Sequence, residues 1–427
     1  MNAQALKDLA QSSTISLSEL RSLRNTCALN AEVAGLFDEL TDAELNRLID
    51  RLFTIVLESP AEGDECANAR CALQCLCNGA NRSGRFAELA WRARPLTVWR
   101  ALIRDARLRL YSLAALTTLI RVDDAHTRAE RSDDSVTQLH LDMLSLWTSE
   151  DEQHRSWIAA FFSHCFEDER FMEREFGALG DYQDVCLSVV NALLFAKDVQ
   201  RTTNVHPENI RFCLDLLATC LDSIGSDADA DHTDFDHTDD RLLLLLEILS
   251  SAAIIRPTFD QLLHSGTDFA PIDRAVAVLS AVVRSEADSS ADDADDRLVA
   301  HWRSQSSRRS EVKQASLQLI GHLCSESPAN RRRAGDLDAL RLALHCARLQ
   351  ESDRPFQVQW AVLAVRHLCL NCPENQQRLF AVDRVPSCVI DSDRLLESLG
   401  LRAVVDSVSG QVRLAPLIDR PTDQRSS

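Results

Sequence analysis

Four groups of residues in this 427-residue chain carry types and spacings that could do chemistry. The first is the window 227–240, which opens "DADAD" and places His232 and His237 five residues apart among carboxylates. Oxygen donors at that density suit a hard cation, and two imidazoles suit zinc or copper. A calcium loop needs glycine at its sixth position and glutamate at its twelfth; His232 and Thr238 stand there instead. The window therefore reads as a solvated loop, with metal handling as the alternative. The second group is Cys66, Cys71, Cys75 and Cys77. A structural zinc site prefers two Cys-x-x-Cys pairs. Here Cys71 and Cys75 fall one helical turn apart, as buried thiols on a helix do.

The third group is Arg331, Arg332 and Arg333, directly after Asn330. Such a run near a helix start suits an acidic partner or a phosphate, or simply a solvated face. The fourth is Trp360, Arg366, Asn375 and the pair His322 and His367. Tryptophan and arginine are enriched at binding hot spots. Trp360 also opens an apolar stripe, which argues for a structural role. The eight residues from His322 to Asn375 are thus expectations for a partner surface. "SQSSRRS" at 304–310 has the composition of a phosphorylatable loop. No Gly-rich phosphate loop, nucleophile elbow, HExxH or dinucleotide fingerprint is present. The expectation is no catalytic residue, no cofactor and no metal site.

These residues must be positioned by helices. Glycine (12) and proline (11) are sparse for a chain rich in sheet turns. Apolar residues recur at three- and four-residue spacing in "ELNRLIDRLFTIVLE" (44–58), "RLRLYSLAALTTLI" (107–120), "YQDVCLSVVNALLFA" (182–196), "NIRFCLDLLATCLDSI" (209–224), "RLLLLLEILSSAAII" (241–255) and "DRAVAVLSAVV" (273–283). Alternating runs are almost missing. The formal charge is −19, and two acidic windows, 226–240 and 286–296, supply thirteen of those charges. The remainder is only mildly acidic, which gives no nucleic-acid footprint. Both windows, and 121–135, read as loops. The first residues lack a basic start followed by an apolar run, and no apolar stretch reaches membrane-span length. The expectation is a cytoplasmic protein with reduced thiols and no membrane insertion.

One repeat is explicit. "LIGHLCSESPANRRRAG" aligns with "AVRHLCLNCPENQQRLF" at an offset of 45 residues. Leu317 then meets Val362, Ile320 meets Val365, His322 meets His367, Pro328 meets Pro373 and Asn330 meets Asn375. The period lies in the armadillo and HEAT range of ~40–47 residues. Leu317, Ile320, Leu323 and Cys324 form one stripe, and Val362, Val365, Leu368 and Cys369 the next. A degenerate third copy is "ARCALQCLCNGANRSGRFAEL" (69–89). Such a helix pair cannot cover its own apolar face and must stack on a neighbour. After "DRLLESLG", two short apolar runs flank Ser409-Gly410, a β-hairpin signal that would cap the open end of the stack.

Residues 311 to 417 resemble the C-terminal domain of the ataxin-10 family. The likeness rests on "ASLQLIGHLCSESPANRRR", on "FQVQWAVLAVRHLCLNCPENQQ", on "LLESLGL" and on the terminal hairpin. The family's Trp-x-x-x-Ala-x-Arg-Asn-Leu helix and Glu-Asn-Gln sequence appear as Trp360, Ala364, Arg366, His367, Leu368, Glu374, Asn375 and Gln376. The chain departs at His367, where the family usually has asparagine. The resemblance implies an all-α, armadillo-like right-handed solenoid acting through protein partners, linked to cytokinesis and cell survival, without catalytic residues. Peptide-binding armadillo proteins clamp their ligand with asparagines on the third helix. The matching positions here are Cys75, Thr118, Asn191, His322 and His367, so that ladder is missing.

The organisation expected is helical repeats over 1–225, an acidic loop at 226–240 and a helical repeat at 241–285. A second flexible stretch at 286–310, the ataxin-10-like domain at 311–417 and a disordered tail at 418–427 complete it. The function expected is a scaffold for other proteins, with homo-oligomers left open.

Overall fold

The computed structural model describes residues 1–12, 14–29, 33–58, 65–122, 134–149, 151–195, 203–226, 235–255, 257–265, 269–286, 296–305, 307–347, 355–381, 401–405 and 412–416. The described residues are helical apart from one pair of short strands. They divide into two compact units, residues 1–216 with 255–258, and residues 217–254 with 259–427.

In the first unit, helices begin where the sequence supplies a reciprocal cap. At the head of α1 (Leu17–Leu29), the Ser16 backbone N–H donates to the Glu19 carboxylate at 2.7 Å, and the Glu19 N–H donates back to Ser16 Oγ at 3.3 Å. Thr41 and Glu44 repeat the device at the head of α2 (Asp42–Glu58), at 2.8 and 3.3 Å. Each box satisfies two donors that the first helical turn leaves open. α2 then buries Leu45, Leu48, Ile49, Leu52, Phe53 and Val56, the three- and four-residue stripe of an amphipathic helix. α1 and α2 pack against α3 (Glu65–Arg82), and α3 packs against α5 (Arg109–Val122), with α4 (Gly84–Arg92) beside it. Further on come α6 (Asp134–Ser149), α7 (Glu152–Cys165), α8 (Gln183–Phe195) and α9 (Pro207–Ser226).

Three helices that pack side by side run through the second unit. They are α10 (Phe235–Ile254), α13 (Arg309–Cys324) and α16 (Pro355–Cys369). α13 lies between the other two and also packs on α11 (Ala270–Ser285) and α14 (Pro328–Asp336). α15 (Ala339–Cys346) and α17 (Pro373–Ala381) complete the repeat. Proline opens α14 and α17, where its missing N–H costs nothing. The Ser327 hydroxyl accepts the Asn330 N–H at 3.3 Å, and Asn371 (φ 51°) takes the left-handed conformation in the connector before α17. Strands β1 (Leu401–Val405) and β2 (Val412–Pro416) pair antiparallel, with Leu401 opposite Pro416 and Val405 opposite Val412.

The acidic windows hold more helix than their composition suggests. α10 begins at Phe235, inside the window expected as a loop over 226–240. Asp239 is buried, and the His301 imidazole meets its carboxylate at 2.6 Å. The window 286–310 contains α12 (Arg297–Ser304), capped by Asp296, which accepts the Val299 N–H at 3.3 Å. Val299 and Trp302 are fully buried and anchor that helix. The aspartates therefore cap helices and pair with histidine, roles that charge counting does not register. Residues 227–234, 287–295 and 123–133 lie outside the described residues, as do the joint between the strands and the tail 417–427.

The repeat demands one close approach. A Cβ at Gly335 in α14 would lie 1.9 Å from Asn375 Oδ1 and 2.3 Å from Arg378 Nη1. At Gly177 a Cβ would meet nothing within 4 Å. Gly335→Ala is expected to lower stability by about 2 kcal/mol or more, whereas Gly177→Ala stays within about 1 kcal/mol of the parent. Urea unfolding followed by circular dichroism compares the two. Equal midpoints for both variants would contradict the packing described.

Candidate partner-binding surface

The corners between helices are held by buried asparagines. Asn330 at the start of α14 donates from Nδ2 to the Leu263 carbonyl at 3.0 Å and the Leu323 carbonyl at 3.1 Å. Forty-five residues on, Asn375 at the start of α17 donates to the carbonyls of Arg331 at 2.8 Å and Leu368 at 2.9 Å. In the first unit, Asn209 of α9 does the same toward Phe166 and Asp168, both at 2.9 Å, and accepts the Met172 N–H at 3.0 Å. All three are buried. Sequence reading paired Asn330 with Asn375 but missed Asn209. The available signal was Pro-x-Asn at 207–209, 328–330 and 373–375.

Neighbouring side chains extend the pattern. Arg331 Nε donates to the Cys324 carbonyl at 2.7 Å, and Gln376 Nε2 donates to the equivalent Cys369 carbonyl at 2.9 Å. Arg331 also reaches Ser325 O at 2.6 Å and, across to the following connector, Leu370 O at 2.8 Å. Arg333 makes a two-pronged pair with Asp273, both arms at 2.8 Å, and Arg378 pairs with Asp336 in the corresponding place. His322 and His367 repeat a third contact. Each presents Nδ1 to a carbonyl of the preceding long helix, Ser250 at 3.1 Å and Gly321 at 2.8 Å.

This placement corrects part of the expected surface. Arg331 and Asn375 are buried, because a carbonyl at a dry helix corner needs their donors more than a partner could use them. His322 is half-buried and meets the Trp360 ring edge-on, centroids 5.3 Å apart. His367 is half-buried on Gly321, and Arg333 is tied to Asp273. Arg332 and Arg366 are exposed.

Within the last repeat, exposed apolar side chains lie on α16 and just past its end: Phe356 is 63% exposed, Val362 57% and Leu370 42%. Val362 was aligned with Leu317, which is fully buried. α13 has a long helix on each side, and its Gly321 lies 3.7 Å from the Ala364 backbone, measured from a built Cβ. On α16 the buried set is Gln357, Ala361, Ala364 and Leu368, so the expected stripe through Val362, Val365 and Cys369 is covered only in part.

Elsewhere, one convergence was invisible in the sequence. Cys165 Sγ lies 4.0 Å from His140 Nε2, and His140 Nδ1 lies 3.4 Å from Glu175 Oε2. The order resembles a thiol–imidazole–acid relay. Yet the three residues are 6%, 4% and 3% exposed, walled by Phe161, Phe162 and Phe171, so a substrate has no approach. Burial alone would raise the Glu175 carboxyl. Its hydrogen bonds with His140, Arg174 and Thr137 outweigh that and hold it at about 2. Cys75 donates to the Leu20 carbonyl at 3.4 Å, and Cys77 lies 3.3 Å from Thr118 Oγ1, so these thiols serve packing. Among the described residues, no three His, Cys, Asp or Glu converge on a metal position. No helix of the described residues is long and apolar enough to cross a membrane. His232 and His237 of the Asp/His window lie outside the described side chains, and Asp239 is engaged by His301.

Residues 312–415, which carry both copies of the asparagine corner, match the family model described as the Spinocerebellar ataxia type 10 protein domain. These residues belong to the ataxin-10 family. Ataxin-10 of Xenopus tropicalis is 36% identical over 87 residues, covering 20% of this chain and 17% of that protein. The match thus spans about a sixth of the curated relative. Two solved structures of engineered proteins also align. One is 11% identical over 74% of this chain and 96% of its own, with a TM-score of 0.28. The other is 15% identical over 86% and 94%, with a TM-score of 0.31. Scores that low carry no argument about the fold.

Two expectations follow for the ataxin-10 family domain and the first unit. Asn375→Ala strips two buried carbonyls of their donor and is expected to cost about 2–4 kcal/mol, while Arg332→Ala on the same corner stays within about 0.5 kcal/mol. Urea midpoints decide it, and an Asn375→Ala variant as stable as Arg332→Ala would remove the corner's importance. Glu175→Gln is expected to cost about 1–3 kcal/mol at neutral pH. The Glu175 carboxyl is depressed in the folded protein, so its contribution is full above about pH 4.5 and is lost as pH falls toward 2. The gap between parent and variant should therefore shrink in acid, read as the difference in unfolding free energy at pH 7 and pH 3.

Proposed function

We propose that the chain is a non-catalytic, armadillo-like scaffold that binds other proteins through its ataxin-10 family domain. The observation that carries this reading is the exposed apolar side of α16. Phe356 and Val362 lie on α16 and Leu370 just past its end, within the matched residues, with Arg366 exposed between them in sequence. Contiguous exposed apolar side chains on a folded domain mark an interaction site. Aromatic and arginine side chains at such a place are the residue types that anchor protein interfaces. α13, one repeat earlier, packs against α16.

On this reading, the second unit repeats in the right-handed armadillo manner, and the β1–β2 pair serves as its end cap. The asparagine corners and histidine contacts keep the repeats in register, and the partner rests on what they leave exposed. The matching family model refers to homo-association in its name, so a second copy belongs among the candidate partners beside other proteins. On this reading the protein works in the cytoplasm, in cytokinesis or cell-survival signalling, the roles that the family resemblance suggests. The buried Cys165–His140–Glu175 row belongs to the core and not to a reaction.

Affinity capture from the native cell tests the surface. Val362→Asp and Phe356→Asp leave the buried face of α16 untouched and should preserve the helical spectrum and the unfolding midpoint. Either is expected to reduce specific partner recovery at least tenfold, since a charge in the centre of an apolar contact costs more than the ~1.4 kcal/mol that tenfold represents. An undiminished partner set with both variants would place the working surface elsewhere.

A further inference from the structure

Three histidines meet where α10, α13 and α16 run side by side. His322 of α13 has Nδ1 at 2.9 Å from Ser250 Oγ and 3.1 Å from Ser250 O, both on α10. Its ring meets Trp360 of α16 at 5.3 Å with the planes 89° apart. His322 thus touches a long helix on each side. His264, just beyond the short helix Asp260–Leu263, brings Nε2 within 3.5 Å of the His322 carbonyl. His367, one repeat later, holds the Gly321 carbonyl next to it.

We propose that His322 is an acid-sensitive latch in the second unit. Neutral, it joins α10 and α16 to α13; protonated, it leaves that position and the three long helices lose their shared contact. The inference is independent of which partner the scaffold binds.

The groups that surround His322 decide the direction. From α10 it receives a serine hydroxyl and carbonyl, and from α16 an indole and the imidazole of His367. From the segment after Asp260–Leu263 it receives His264, whose Nδ1 lies 3.4 Å from Asp260. From α14, Arg331 delivers its guanidinium to Cys324 and Ser325, two and three residues along. At the far end of α13, Lys313 pairs with Glu286 of the residue after α11, about 13 Å away along the helix. A proton placed on His322 would therefore sit half-buried between two further bases, with an arginine close by. Burial chiefly, with His367 and His264 adding, pulls His322 down to about 4, against the Ser250 carbonyl, which raises it. The sign follows. The unfolded chain takes up the proton near pH 6.5, while the folded chain resists until about pH 4. Stability is thus lost as pH falls through that window, by up to about tenfold in the folding equilibrium per pH unit.

The test uses the full chain, with parent, His322→Gln and Trp360→Phe forms. Glutamine keeps an N–H donor and cannot titrate in this range. Urea unfolding at pH 6.5 and 4.5 should show the parent's folding equilibrium falling about 40-fold more than that of His322→Gln. A second readout needs no His322 variant. An imidazolium quenches an adjacent indole, so the emission difference between parent and Trp360→Phe should stay flat from pH 7.5 to 5 and fall with a midpoint near 4. Equal acid losses in parent and His322→Gln would overturn the latch. So would Trp360-dependent emission titrating near 6.5, a result that decides the matter even if His322→Gln does not fold.

Discussion

The chain depends on a solution to one problem, the carbonyls left open where a helix ends against another helix. The last four carbonyls of a helix have no partner within it. At a tight corner between packed helices, water has little access to supply one. Asn330 and Asn375 supply it from a buried carboxamide with two N–H donors, one for the helix just ended and one for the preceding repeat. Aspartate cannot donate, and serine offers only one donor. The same requirement explains Gly335, since a side chain there would occupy the space of the Asn375 amide.

This constraint determines what remains for binding. Arg331 spends its guanidinium on three carbonyls, Arg333 on Asp273, and His322 and His367 on the preceding long helix. The polar residues with the strongest look of a recognition site are therefore the ones that hold the repeats together. Buried donors placed this way are costly to leave unpaired, so they are unavailable to a ligand that comes and goes. On the proposed reading, recognition falls to the exposed apolar side chains of α16.

Sequence alone carried the helices, because leucine spacing reports burial directly, and it carried the 45-residue repeat, because Pro328 and Pro373 mark equivalent helix starts. It carried the ataxin-10 likeness for the same stretch. It failed where a side chain's task depends on a residue far along the chain. Nothing local to Asp239 announces His301, and nothing near Cys165 announces His140 and Glu175. Exposure failed in the same way. Val362 and Leu317 are both apolar and both in register, yet Leu317 is buried in a helix packed by α10, α11 and α16 while Val362 is exposed. Acidic composition misled for another reason. Asp296 occupies a helix start, where a carboxylate is favoured by the open N–H groups, and Asp239, one turn into α10, is held by His301, so aspartates in an acidic run can belong to a helix.

The two copies of the repeat differ at the positions that look onward along the second unit. Arg331 reaches past its own corner to Leu370 of the following connector, whereas Gln376, at the equivalent place, stops at Cys369. Gly321 admits the backbone of α16, whereas its counterpart Arg366 would block a helix from coming so close. Val362, Phe356 and Leu370 nonetheless leave apolar side chains exposed on and just past α16. On the proposed reading, a face that Arg366 closes to the near approach of another helix, yet still apolar, suits an occupant of different shape.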